Sequence, residues 1–162
     1  MFTVHQVVLV DNDLDGNALK IQKLTQIGFS NNIKVSVNAG IALLYLQQQH
    51  ETLKDLTQLI ILNIDTPIMN GFEFLSELKN SKTISNQNIM VAVLKNNLSE
   101  LQIDKLKIMG VTNFIDEDFC PDMLSKSVKK HFIKSSNSHY TSNTIQPQKV
   151  KGLEGLQGLY AA

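Results

Sequence analysis

Along the first 130 or so residues, short runs of apolar residues alternate with helical patterns, and this alternation limits the architectures open to the chain. Val7-Val8-Leu9-Val10 reads as a buried strand. Leu14, Ala18, Leu19, Ile21, Leu24 and Ile27 follow at mostly three- and four-residue spacing, and Gly28 then stops the helix. Ile33 to Val37 alternates like an edge strand, and Ala39 to Leu46 begins a second helix. Leu59-Ile60-Ile61-Leu62 is the most central strand in character. Pro67 and Gly71 bracket a turn before a helix over Phe72–Leu78. Ile89–Leu94 is a fourth strand and Leu98–Met109 a helix stopped by Gly110. Val111–Ile115 is the fifth strand, and Met123–Phe132 belongs to the last helix. Five βα units with short loops imply an α/β fold: a doubly wound parallel sheet with helices on both faces. Ligands of such sheets bind beyond the carboxyl ends of the strands. The segments to inspect are therefore 11–15, 63–71, 95–97 and 116–119.

Composition narrows the function. A chain of 162 residues has room for one such domain. Fifteen basic residues balance fifteen acidic ones, and every basic residue is lysine. With no positive excess and no arginine fork, nucleic acid is not the expected partner. The lone Cys120 excludes an internal disulfide framework. It opens the last helix, where a thiolate would be favoured, but an inert thiol is the ordinary reading. His5, His50, His131 and His139 show no ligand spacing. The first apolar run ends at Asp11 after four residues, and no stretch approaches the 18 or so needed to span a membrane, so the expected location is the cytoplasm. The expected domain covers residues 1–134. Residues 135–162 read as a Ser/Asn/Thr-rich linker and a tail in which Leu153, Leu156 and Leu159 recur between glycines. Docking of that tail on an apolar groove and a disordered tail are both open readings.

Two motifs fall at strand ends. Asp11-Asn12-Asp13-Leu14-Asp15-Gly16 matches the start of a calcium loop. Its twelfth position is Gln22 rather than glutamate, and a strand precedes it rather than a helix. The competing reading is a βα loop in which Asp13 caps the first helix. The second motif is Leu62-Asn63-Ile64-Asp65-Thr66-Pro67-Ile68-Met69-Asn70-Gly71-Phe72-Glu73-Phe74-Leu75. Together with the element order and Asp11, it resembles the receiver domain of two-component response regulators over roughly residues 4–133, and most closely the stand-alone receivers.

The resemblance implies a five-stranded, flavodoxin-like sheet of order 2-1-3-4-5. It also implies an acidic pair that holds Mg²⁺, a phosphoacceptor aspartate, a Ser or Thr after strand four and a Lys after strand five. Here the acidic pair falls on Asp11 and Asn12, and the acceptor position on Asn63. Asp65 lies two residues further on; its backbone carbonyl is expected toward the site and its side chain elsewhere. The hydroxyl position is Lys95 and the lysine position Glu117, while the expected aromatic is present as Phe114.

A carboxamide cannot act as the nucleophile that forms an acyl phosphate. With one carboxylate left, Mg²⁺ is expected to bind weakly at Asp11 or not at all. The expected function is a degenerate, non-enzymatic receiver in phosphorelay signalling that acts through protein contact. Its partner would be a histidine kinase or a downstream target, and a homodimer is compatible with it. Two alternatives are a working phosphoacceptor using Asp65 or Asp11, and a metal-dependent hydrolase using Asp11 and Asp13. The Lys95 ammonium is expected over the old phosphate site, within reach of Glu117 or Asp11.

Overall fold

Two strands are buried along their whole length, β1 (Gln6–Val10) and β3 (Gln58–Leu62), as their unbroken apolar runs require. In the computed structural model, which describes residues 2–141 with side chains to residue 136, these two strands pair in parallel. β2 (Ile33–Ser36) flanks β1, while β4 (Ile89–Leu94) and β5 (Asn113–Ile115) extend the sheet beyond β3. All pairings are parallel and the order is β2-β1-β3-β4-β5, the predicted one. The helices are α1 (Leu14–Gln26), α2 (Ala39–Gln48), α3 (His50–Leu53), α4 (Gly71–Asn80), α5 (Lys82–Ser85), α6 (Glu100–Ile108) and α7 (Pro121–Thr141). The chain divides into two compact units, Met1–Phe132 and Ile133–Ala162, and all packing described below lies in the first.

Alternation along the strands makes two cores. Val8, Val10, Ile60, Leu62 and Val93 face α2, α4 and α6 through Leu46, Phe74 and Leu106. Val7, Leu9, Leu59, Ile61, Ala92 and Leu94 face α1 and α7 through Leu24, Leu124 and Val128. The helix starts are capped by side chains that the sequence supplies. Asp13 caps α1, Asn38 caps α2, and Asn70 with Glu73 and Ser99 with Gln102 form capping boxes. Ser99 as cap explains why α6 starts at Glu100 and not at the predicted Leu98. Gly71 is required where it stands: a Cβ there would meet the Ile64 Cα at 2.7 Å.

Other expectations shift. The short helices α3 and α5 were not foreseen, β2 stops at Ser36, and β5 begins at Asn113. The predicted linker from Ser135 starts as helix, since α7 runs to Thr141. The Leu153, Leu156 and Leu159 triplets lie outside the described residues.

The amino ends of the strands hold a polar ladder that periodicity did not reveal. Gln6 and Gln58, the first residues of β1 and β3, are fully buried. Gln6 Nε2 donates to Gln58 Oε1 (3.2 Å), Gln58 Nε2 to Gln87 Oε1 (2.9 Å), and Gln87 Nε2 to the Leu46 carbonyl (3.0 Å). Gln58 Nε2 also reaches the Leu53 carbonyl at 3.2 Å, and Gln6 Oε1 accepts from Tyr45 and Asn32. Every amide is paired, so burial carries no unsatisfied group here.

At the opposite end, Ile68 has φ 71° and is 93 % exposed. A β-branched residue in the left-handed region is strained, and an exposed side chain gains no packing to offset it. Ile68→Asn, which tolerates that conformation, is expected to raise stability by about 1 kcal/mol. A higher urea midpoint with an unchanged slope would establish this; an unchanged or lower midpoint would refute it.

Candidate functional site

The in-register strands bring their carboxyl ends level, so the residues just after them meet. Val10 pairs with Leu62 and Leu62 with Val93; Asp11 and Asn63 thus emerge side by side, with Lys95 beyond them. The Asp11 carboxylate is fully buried and fully engaged. Its Oδ1 accepts from Asn63 Nδ2 (2.9 Å) and from the Asp13 N–H (3.1 Å). Its Oδ2 accepts from the Lys20 ammonium at 3.0 Å. The other end of the Asn63 amide, Oδ1, accepts from the Asp65 N–H at 3.0 Å. Asp65 is exposed, and joins the site through its backbone. Asn12 is exposed, and Phe114 is half-buried against the first core.

Lys20 is the residue that sequence reasoning missed. It is 1 % exposed, and its Nζ also lies 2.5 Å from Glu117 Oε2 in the loop after β5. The cause lies in the face that α1 turns inward. The predicted stripe included Leu14 and Leu19, yet these are 69 % and 61 % exposed. The inward residues are Asn17, Lys20 and Leu24, spaced three and four apart. Counting back from Leu24 at helical spacing reaches Lys20 and then Asn17. That was the available signal, and a search for apolar residues alone passes over it. Asn17 secures the same corner, its Nδ2 donating to the Asp11 carbonyl at 2.8 Å. Gly16, one turn before Lys20, leaves space first for the capping Asp13 carboxylate, which a Cβ there would strike, and then for the ammonium, whose Nζ would stand 3.2 Å from it.

The loop after β5 is fastened along its acidic run. Asp116, Glu117 and Asp118 pair with Lys95 (3.3 Å), Lys20 and Lys23 respectively. The Glu117 N–H donates to Asn96 Oδ1 at 2.7 Å. Lys23 holds the Asp118 carboxyl below the usual carboxylate range. The outer pairs are solvent-exposed and contribute little stability; the Lys20 pair is sheltered.

Burial by itself lowers the Lys20 pKa. The hydrogen bonds to Glu117 and Asp11, with their charges, outweigh this and leave it above the ordinary lysine value. A raised lysine pKa gives stability that is complete below the unfolded value of about 10.4 and is lost as pH rises through the folded value. Wild type is therefore expected to melt above Lys20→Met by a steady margin at neutral pH, narrowing beyond about pH 10.4. Melting curves of both proteins from neutral to alkaline pH check this, and a margin that does not change with alkalinity would contradict it.

No protein-family model and no curated protein matches the chain. Solved structures do. A two-component response regulator from Cytophaga hutchinsonii matches at TM-score 0.69 and 17 % identity, over 81 % of this chain and 98 % of that one. The chemotaxis response regulator CheY4 of Vibrio cholerae matches at TM-score 0.62 and 20 % identity, over 80 % of this chain and 99 % of that one. The receiver domain of a sensor histidine kinase from Pseudomonas aeruginosa, with a magnesium ion coordinated in its active-site cleft, matches at TM-score 0.62 and 12 % identity, over 79 % and 97 %. This chain has the receiver fold.

Within that receiver fold, the site residues present do not suit a divalent ion. Both oxygens of Asp11 are taken, one of them by a cation, and Asn12 and Asn63 carry no charge. A hard dication prefers anionic oxygens. Among the described residues, no group of three or more His, Cys, Asp or Glu side chains could hold a metal ion. The expected role of Lys95 is corrected. Its ammonium pairs with Asp116, while Lys20 occupies the place between Asp11 and Glu117. Lys95 leaves β4 on the sheet's outer flank, two strands away from Asp11, whereas α1 packs across the end of β1.

Proposed function

We propose that this chain is a receiver-like signalling module in a two-component pathway that acts by protein contact, without aspartyl phosphorylation and without enzymatic turnover. The observation that carries the reading is Asn63. It stands at the acceptor position with its amide bonded at both ends, to the Asp11 carboxylate and the Asp65 N–H. Charge supports it too. Asp11, Asp13, Asp116, Glu117 and Asp118 outnumber Lys20, Lys23 and Lys95 around the pocket, so an incoming phosphoryl group would be repelled. The partner is a signalling protein of the same pathway, a histidine kinase or a downstream target, met in the cytoplasm. No described helix is long and apolar enough to cross a membrane.

Incubation with acetyl phosphate and Mg²⁺, followed by intact-mass measurement, tests the reading. The expected result is no gain of the roughly 80 Da that a phosphoryl group adds. A stoichiometric, base-labile gain would overturn it in favour of a substitute carboxylate. Asn63→Asp is expected to restore little or no labelling. The new carboxylate would face Asp11 Oδ1 where an N–H donated at 2.9 Å, and Lys20 would still occupy the cation's place. Like charges at that range raise one carboxyl pKa and lower stability. Efficient labelling of Asn63→Asp would show that Asn63 alone silences the site.

A further inference from the structure

We infer that Lys20 is the resident cation of this pocket, a tethered ammonium that fastens the end of β1 to the loop after β5 and leaves no role for a divalent ion. The contrast is with the Pseudomonas aeruginosa receiver domain, whose cleft holds magnesium. Here the buried ammonium bridges Asp11, directly after β1, and Glu117, directly after β5. These strands lie three places apart in the sheet and do not pair, so the side chain joins segments that no backbone ladder joins. Its neighbours extend the same pattern. Lys23 and Lys95 hold the acids on either side of Glu117, and Asn96 holds the Glu117 N–H. The loop after β5 carries the acids and the surrounding elements carry the lysines, so the loop is held by charges belonging to the chain itself. The inference deepens the contact-based reading: a loop fixed in this way presents one surface whatever the supply of metal or phosphodonor.

The test uses the full chain, MgCl₂ and MnCl₂, with no phosphodonor. Thermal unfolding is followed up to about 10 mM MgCl₂ against NaCl of equal ionic strength, and free Mn²⁺ is followed by electron paramagnetic resonance. For wild type, the expected midpoint shift is below about 1 °C and Mn²⁺ stays free. Lys20→Met is expected to melt lower by on the order of 10 °C, to regain part of that with MgCl₂, and to bind Mn²⁺ at about millimolar concentration. Wild type stabilised by Mg²⁺ would overturn the inference. So would a Lys20→Met protein that melts with wild type, or one that melts lower and gains nothing from Mg²⁺. Should Lys20→Met not fold, Glu117→Gln replaces it. That variant keeps the ammonium on Asp11, and is expected to show faster amide exchange at residues 116–119 while remaining indifferent to Mg²⁺. Unchanged exchange there would equally overturn the clasp. Phosphorylation of wild type would defeat the functional proposal and leave these measurements untouched, so the two can fail separately.

Discussion

Asp11→Ala is expected to lower the free energy of unfolding by about 3–5 kcal/mol, as when one partner of a buried ion pair is removed. The change strips the Lys20 ammonium of one of its two carboxylates while leaving it buried. It also orphans Asn63 Nδ2 and the Asp13 N–H, which both donate to Asp11 Oδ1. A domain of this size has only about 5–15 kcal/mol in total, so the variant should sit near the edge of folding. The exposed pairs provide the contrast: Asp118→Asn, at the solvent-screened Lys23 pair, should leave stability almost unchanged. Urea unfolding of both variants measures the contrast. Comparable losses would mean that burial of Lys20 does not set the energetics.

The second large effect is expected at the opposite end of the strands. Gln58→Ala should cost about 3–5 kcal/mol, combining a cavity in the core with broken hydrogen bonds. Gln58 accepts from Gln6 and donates to Gln87 and the Leu53 carbonyl; its loss leaves Gln6 Nε2 and Gln87 Oε1 unpaired, while the Leu53 carbonyl keeps the Leu56 N–H. Gln58→Met keeps the volume and leaves the same groups unpaired, and should recover only the cavity part. A Met variant as stable as wild type would show that the ladder adds nothing beyond filling space.

The sheet was legible because buried parallel strands need uninterrupted apolar runs, and Val7–Val10 and Leu59–Leu62 are such runs. Strand ends then located Asp11, Asn63 and Glu117, since a parallel sheet aligns its carboxyl edges. Lys20 escaped because a lysine in an amphipathic pattern is assigned to the wet face. α1 departs from that where its first two turns look onto charged strand ends instead of the core. Lys95 drew the expected charge because sequence adjacency to a strand end places it near the site but does not say which acid it will reach. Gln6 and Gln58 escaped for a related reason: each reads as a polar residue ending a strand, and only the fold shows them meeting side by side.

The glutamine ladder gives the sheet an unlike floor and roof. Its amides carry no titratable proton and no net charge, so the ladder itself should be indifferent to alkali and ionic strength. The roof, built from carboxylates around three lysines, depends on their charge, and Lys20, its buried member, loses that charge only in alkali. Alkali should therefore loosen this molecule from one end, with amides near Asp11 and Glu117 exchanging while those near Gln6 and Gln58 stay protected. β1, followed from amino to carboxyl end, passes from neutral paired amides at Gln6 to paired charges at Asp11.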